Sequence, residues 1–295
     1  MRSIYSTTDL ANLLEVNEST IKRWADSGHI ECVKTKGGHR RFPIAAVLRF
    51  AQENRIALRG FGFGEFPDGD MQAHLAAGNI SKLIPELKRA ALSGKIDLAL
   101  EILRVGIAAR PHLLSLYHDV VFPPLVQIGE QWEKGTLTVD EEHLASRTIR
   151  EATARLQAEL FQKPSVRRTV LLACYEDELH DFSTQCVANY FESEGWKTVF
   201  LGQATPTDSV VHAVRKHQPE VTVVSTIALT DERKFIRDMN EAVAPATRSV
   251  GGMLVIGGPR TRERFAGTVQ ADMLTDSILQ YESLTTRPIP PAAAL

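Results

Sequence analysis

Cysteine is scarce: Cys32, Cys174 and Cys186 are the three in a chain of 295 residues. An odd number at irregular spacing argues against a disulfide framework and leaves no Cys-x-x-Cys pair for a zinc site, so the thiols are expected to be reduced. Long apolar runs are also missing. Stretches such as Val166 to Ala173, interrupted by Arg167 and Arg168, fall far short of the roughly 20 residues that cross a bilayer. The opening Met1-Arg2-Ser3-Ile4-Tyr5 has no apolar core of a signal peptide, so a cytoplasmic location is expected. Neither sign of charge dominates, with a net charge of −2, and 43% hydrophobic with 24% charged residues excludes collagenous and wholly disordered classes. At this length two or three domains are expected.

The near-neutral total hides an uneven distribution. Residues 1–59 hold ten Lys and Arg against six Asp and Glu, a surplus of +4, which leaves −6 for the rest of the chain. A basic head on an acidic body is the pattern of a polyanion-binding segment joined to something with another task.

The head reads as helix, turn, helix, hairpin, helix. Thr7 to Leu14 carries apolar residues on one helical face, and Glu15-Val16-Asn17 breaks it. Glu18-Ser19-Thr20 caps a second helix in which Ile21, Trp24 and Ala25 face the core and Ser19, Thr20, Lys22 and Arg23 stay free. Two extended runs, His29 to Thr35 and His39 to Phe42, flank the turn Lys36-Gly37-Gly38, a hairpin signal. A third helix is expected to begin with Pro43 in its first turn. Residues 57–75, rich in Gly and Phe without helical period, read as a flexible linker.

Residues 76–163 are rich in Leu and Ala with a three-to-four-residue apolar repeat, broken near Ser93-Gly94, Pro111 and Gly135, which fits four helices. After Lys163-Pro164 strands alternate with helices, so residues 166–284 are expected to form a parallel sheet, followed by a disordered tail at 285–295. The expected fold is therefore multidomain α and α/β: a winged helix-turn-helix over 1–56, a four-helix cap and a Rossmann-like domain.

Three regions carry chemistry. In the head, Ser19-Thr20-Ile21-Lys22-Arg23-Trp24 and Gly37-Gly38-His39-Arg40-Arg41-Phe42 place cations on a helix suited to the major groove and on a hairpin beside it. These strings resemble the DNA-binding head of MerR-type and excisionase-type regulators, and the resemblance implies contacts from Ser19, Thr20, Lys22, Arg23, His39, Arg40 and Arg41 to double-stranded operator DNA.

In the third domain Glu178-Leu179-His180-Asp181-Phe182-Ser183 follows the first strand, and ligands of open parallel sheets bind beyond the carboxyl ends of strands. A carboxylate two residues before a His can hold one ring nitrogen and make the other a better metal ligand. Taken alone, the same pattern also describes a surface histidine. Leu201 to Pro206, Ser225-Thr226-Ile227 and Gly257-Gly258, after the next three strands, are expected to leave a trough along the sheet edge. The set resembles the cobalamin-binding domain of corrinoid proteins. That resemblance implies His180 as lower axial ligand of cobalt with Glu178 behind it, and Ser225, Gly257 and Gly258 flanking a buried nucleotide tail. The chain departs from the signature at Ser183, where the family has Gly.

In the helical region Ile128 to Gly135 followed by Glu141-Glu142-His143 resembles the cap that precedes such domains. Trp132 would then stack over the corrin, with Glu142 and His143 hydrogen-bonding an adenosyl group; read without the resemblance, Trp132 is helical core and Glu142 and His143 a solvated turn. Head, cap and cobalamin domain in this order resemble the CarH/LitR family of light-responsive repressors. The resemblance implies a non-enzymatic transcription regulator, a homo-oligomer of two or four copies switched by adenosylcobalamin at the interface of cap and sheet domain. Glu133 stands where some members have a His that captures cobalt after photolysis. Two other readings stay open: a cobalamin-independent regulator whose C-terminal half takes another tetrapyrrole or an antagonist protein, and a corrinoid carrier in methyl transfer.

Overall fold

The computed structural model describes residues 4–58, 74–75, 77, 79–161 and 167–286. The chain divides into two compact units, Met1–Phe161 and Gln162–Leu295.

The first unit opens with strand β1 (Ile4–Ser6), which runs directly into helix α1 (Thr7–Leu14). Ser6 caps that helix: its hydroxyl accepts from the Asp9 backbone at 3.1 Å while the Asp9 carboxylate accepts from the Ser6 backbone at 2.8 Å. Glu15, in the left-handed conformation, ends α1 and turns the chain into α2 (Glu18–Asp26). Strands β2 (Val33–Lys34) and β3 (Arg40–Pro43) form the hairpin, and β3 also pairs antiparallel with β1 from Ile4 opposite Pro43 to Ser6 opposite Arg41. The wing is thus three-stranded, in the order β1-β3-β2. Three residues ahead of a helix are too few to show an alternating pattern, so β1 was invisible to periodicity. Pro43 ends β3 and caps helix α3 (Ile44–Asn54) instead of lying within it.

Four helices follow: α4 (Ile84–Leu92), α5 (Ile96–Ala109), α6, and α7 (Val139–Leu160). Helix α6 runs as Leu113–Leu116, a π-turn Tyr117–Val121, and Phe122–Glu133. The π-turn stands immediately before Pro123 and Pro124, which lack the backbone N–H that would continue the regular ladder. Gly106 lies where α5 meets α6, and a Cβ there would come 2.6 Å from Leu116 Cδ1. The head is not a separate body. Helix α3 packs on α5 and α7, Arg49 Nη1 donates to the Glu159 carbonyl at 3.1 Å, and the Leu58 amide donates to the Ala108 carbonyl at 2.7 Å. Most of the expected linker lies outside the described residues, but Leu58 and Leu75 at its two ends are buried.

The second unit is a five-stranded parallel sheet in the order β5-β4-β6-β7-β8. Its elements are β4 (Thr169–Tyr175), α8 (Phe182–Ser193), β5 (Lys197–Thr205), α9 (Thr207–His217), β6 (Val221–Ser225), α10, β7 (Met253–Gly257), α11 (Thr261–Phe265) and β8 (Met273–Thr275). Helix α10 is Glu232–Asp238, a π-turn Met239–Val243 and Ala244–Ser249. A 3-10 turn, Ile278–Tyr281, leads into α12 (Glu282–Thr285). β6 is buried at every position, as a central parallel strand flanked by helices requires. On one face Leu171, Ala173, Val224 and Ile256 pack with Val210, Phe235 and Met239 of α9 and α10. The opposite face meets α8, where Cys174 Sγ lies 3.5 Å from Thr184 Oγ1.

Two boundaries are corrected. β8, only three residues long, closes the sheet where no strand was expected. The chain also stays ordered through Thr285, whose hydroxyl is 2.8 Å from the Tyr190 hydroxyl, so the expected tail does not begin at 285; residues 287–295 lie outside the described residues.

Candidate functional site

In the head, Ile21 is fully buried and Trp24 packs on Phe50 at 5.0 Å between ring centroids, which fixes α2 on α3. The opposite side of α2 presents Ser19, Lys22 and Arg23, all exposed, with Thr20 half-buried. Glu18 sits among them, accepting from Thr8 Oγ1 at 2.6 Å and lying 3.4 Å from Lys22 Nζ. On the wing His39 and Arg41 are exposed. A cleft of 260 Å³ is lined by Thr8 and Lys22 on one side and His39 and Arg41 on the other, so the two basic strings come together in space.

Arg40 differs from its neighbours. Its Nη2 donates to both Asp26 oxygens, at 2.6 and 2.7 Å, and its side chain is only 18% exposed. The Arg40 guanidinium holds the Asp26 carboxyl below its ordinary pKa. Arg40 therefore ties the wing to the last turn of α2, and it is Lys22, Arg23, His39 and Arg41 that face outward.

At the carboxyl end of the sheet, Glu178 is completely buried and His180 is exposed. Glu178 Oε1 accepts from the His180 backbone at 2.7 Å and lies 2.7 Å from His180 Nδ1, while its other oxygen accepts from the Ala228 backbone. The carboxylate takes a proton-bearing Nδ1 as donor, which leaves Nε2 with its lone pair toward solvent. The Glu178 carbonyl also accepts from Ala204 at 3.0 Å. Glu178 thus joins the loop after β4 to the end of β5 and to the loop after β6. Ala204, within the Leu201 to Pro206 string, and Ala228, which no motif marks, contribute backbone only.

The expected trough at Gly257-Gly258 is corrected. A Cβ on Gly257 would lie 2.3 Å from the Tyr281 hydroxyl, and one on Gly258 would lie 2.7 Å from the Thr226 carbonyl oxygen. Both glycines are occupied at close range by protein: the first by a side chain from the terminal 3-10 turn, the second by the backbone after β6. Ser225 is buried on the rung beside Gly257. Ser183 lies half-buried in the first turn of α8.

In the first unit Trp132 ends α6 with its indole 46% exposed, which is not the position of a core residue. Gly135, with φ +69°, reverses the chain, and a capping box between Thr138 and Glu141 starts α7. Glu142 accepts from Ser146 Oγ at 2.5 Å, and His143 Nε2 lies 3.6 Å from Glu142. Val139 and Leu144 are exposed as well. The α6–α7 turn therefore displays an indole, two aliphatic side chains and an acid.

Residues 4–55 match a helix-turn-helix domain family, and residues 83–157 and 168–283 each match a B12 binding domain family. The chain is 35% identical over 136 residues to the HTH-type transcriptional repressor CarH of Myxococcus xanthus, covering 46% of this chain and 44% of CarH. The chain spans less than half the length of that relative. Trimethylamine corrinoid protein 1 of Methanosarcina mazei is 22% identical over 202 residues, 68% of this chain and 93% of that protein. The monomethylamine corrinoid protein of Methanosarcina barkeri shares the fold, with a TM-score of 0.58 at 16% identity over 69% of this chain and 96% of that one. Helix-turn-helix domain and B12 binding domains stand here in one chain, which is CarH-like in its composition.

Proposed function

We propose that this protein is a transcriptional repressor that binds operator DNA through α2 and the wing and is controlled by adenosylcobalamin, with light as the signal and oligomeric state as the readout. The observation that carries the reading is the Glu178–His180 pair: a fully buried carboxylate fixes Nδ1 and turns Nε2 outward. Such a pair suits an axial metal ligand, because the second carboxylate bond, to Ala228, holds the acid in place while the ring faces out.

On this reading His180, with Glu178 behind it, would hold cobalt and Ser225 would meet the tail, while Trp132, Glu142 and His143 are the residues of the first unit that would serve the cofactor. Bound adenosylcobalamin would supply a cobalt–carbon bond that visible light breaks. The chain supplies the coupling. Helix α3 is seated on α5 and α7, and Glu159 of α7 also pairs with Arg104 of α5, Nε to Oε2 at 2.9 Å. A change in the helices therefore acts on the head through packed elements instead of a loose tether. Heads with few phosphate contacts bind firmly only in multiple copies, so a ligand that favours one assembly changes DNA affinity.

The test is an absorption spectrum of the protein mixed with adenosylcobalamin in the dark and desalted, repeated after green light, with sedimentation and an operator mobility shift on both samples. Retained corrin whose spectrum and assembly change on illumination, with weaker DNA binding, is the expected result. Corrin lost on desalting overturns the cofactor assignment, and light-independent operator binding overturns the photoreceptor reading.

A further inference from the structure

Resting on the reading of α2 and the wing as the operator-binding surface, we infer that Glu18 and Lys22 together read one C·G base pair. The Glu18 carboxylate accepts from the cytosine amine, and the Lys22 ammonium donates to the guanine edge.

A carboxylate is out of place on a surface that meets phosphates, yet the head carries one where its cations converge. Among the described residues that line the cleft between α2 and the wing, Glu18 is the one acid, with Lys22, His39, Arg40 and Arg41 around it. It is also the first residue of α2. In a helix-turn-helix the start of the second helix is the part that meets base edges. Repulsion of a carboxylate by the DNA backbone is offset there only by a donor on a base.

The direction of the Glu18 side chain is set from both sides. Oε1 accepts from Thr8 Oγ1 of α1 at 2.6 Å, and Oε2 lies 3.4 Å from Lys22 Nζ, one turn further along α2. A carboxylate has about four lone-pair sites, so each oxygen keeps acceptor capacity beyond these bonds. The two side chains are 44% and 50% exposed, within reach of a third group. The Thr8 hydroxyl first, and Lys22 second, hold the Glu18 carboxyl below its ordinary pKa, so at neutral pH it only accepts. Lys22 only donates.

The start of α2 thus offers an acceptor and a donor side by side. The C·G edge in the major groove has the matching order: the N4 amine of cytosine donates, and O6 and N7 of guanine beside it accept. An A·T pair sets its amine between two acceptors, N7 and O4, so a carboxylate at that amine faces a lone pair whichever way the pair is turned. Ser19 and Thr20 make no such distinction, because a hydroxyl both donates and accepts.

The experiment is binding-site selection by the full chain from double-stranded DNA of random sequence, in the dark, with and without adenosylcobalamin. Mobility-shift titrations then compare the selected site with single-pair replacements for wild type, Glu18→Gln, Glu18→Ala and Lys22→Ala, each checked by a melting curve. Wild type should fix a C·G pair at one position, and its replacement by A·T should weaken binding by about tenfold, the effect of one mismatched pair. Glu18→Ala and Lys22→Ala should bind the two sites alike. Glu18→Gln, whose amide both donates and accepts, should shift the preference at that position toward A·T and leave the other positions unchanged. A Glu18→Ala variant that keeps the wild-type preference, or binds both sites more tightly by the same factor, would show a carboxylate that only repels phosphate and overturn the proposal. Selection of no sequence by wild type under either condition would instead overturn the operator-binding reading itself.

Discussion

Two acids in this molecule hold the side chains that its functional strings single out, with opposite results. Asp26 takes Arg40 by a single guanidinium nitrogen and draws the side chain inward until 18% of it is exposed. Glu178 takes His180 by Nδ1 and leaves the ring 65% exposed, with the other nitrogen outward. The difference is one of valence. A guanidinium held this way spends its charge on the partner, whereas an imidazole has two inequivalent nitrogens, and fixing one presents the other. The same device therefore makes a strut in the head and an exposed, oriented imidazole at the sheet edge.

The largest expected effect comes from breaking the second clamp. Glu178→Gln keeps the size but replaces a carboxylate that accepts from His180 and Ala228 with an amide that can accept through only one of its two terminal atoms. Cobalamin affinity should fall about 10- to 100-fold, the range for removing a partner behind a metal-bound histidine. His180→Ala should go further and shift the bound corrin spectrum toward the form without a lower ligand. A spectrum identical to wild type in His180→Ala would leave the outward Nε2 without a function and remove the contrast with Arg40.

A smaller effect separates strut from contact within the head. Arg23 is exposed on α2, and its replacement by Ala should lower the slope of log affinity against log salt by about 0.9, the loss of one phosphate contact. Arg40→Ala should leave that slope near wild type but lower the melting temperature of the first unit by a few degrees, and Asp26→Ala should reproduce the melting effect. If Arg40→Ala instead reduced the salt slope as Arg23→Ala does, Arg40 would be a phosphate contact and the two acids would not differ as described.

Much of this organisation is legible in the residue order. Strand–helix alternation after Pro164 and apolar repeats before it depend on local periodicity, and the structure follows both. The Glu-x-His string could be read because both partners lie within two residues. What escaped was long-range or short in extent. β1 and β8 have three residues each, below the length at which alternation can be seen. The Asp26–Arg40 contact spans 14 positions and joins two elements that each look complete. Tyr281, 24 positions beyond Gly257, belongs to no motif, and the only trace it leaves is the glycine that it requires. The seating of α3 on α5 and α7 is tertiary packing, written in apolar residues that would also suit a free-standing head.

A third acid sharpens the comparison by holding three groups at once. Asp238 accepts from Tyr175 Oη at 2.8 Å, Lys234 Nζ at 3.0 Å and Thr207 Oγ1 at 3.1 Å, at the end of β4 that leads toward Glu178. Burial and the bond to Asp238 push the Tyr175 hydroxyl up to about 12, and the bond to Asp238 raises Lys234 as well. The sign follows from proton binding. Between pH 10 and about 12 the unfolded chain loses the Tyr175 proton while the folded one keeps it, so this stabilisation is complete below pH 10 and disappears as pH rises through the folded value. Lys234 acts in the same direction. Urea unfolding of the second unit should therefore show stability falling across that interval, and Tyr175→Phe should make the fall shallower while costing about 1 kcal/mol at neutral pH for the lost bond. A Tyr175→Phe profile parallel to wild type would mean that the phenol is not held by Asp238, and the clamp at this site would reduce to Lys234 and Thr207.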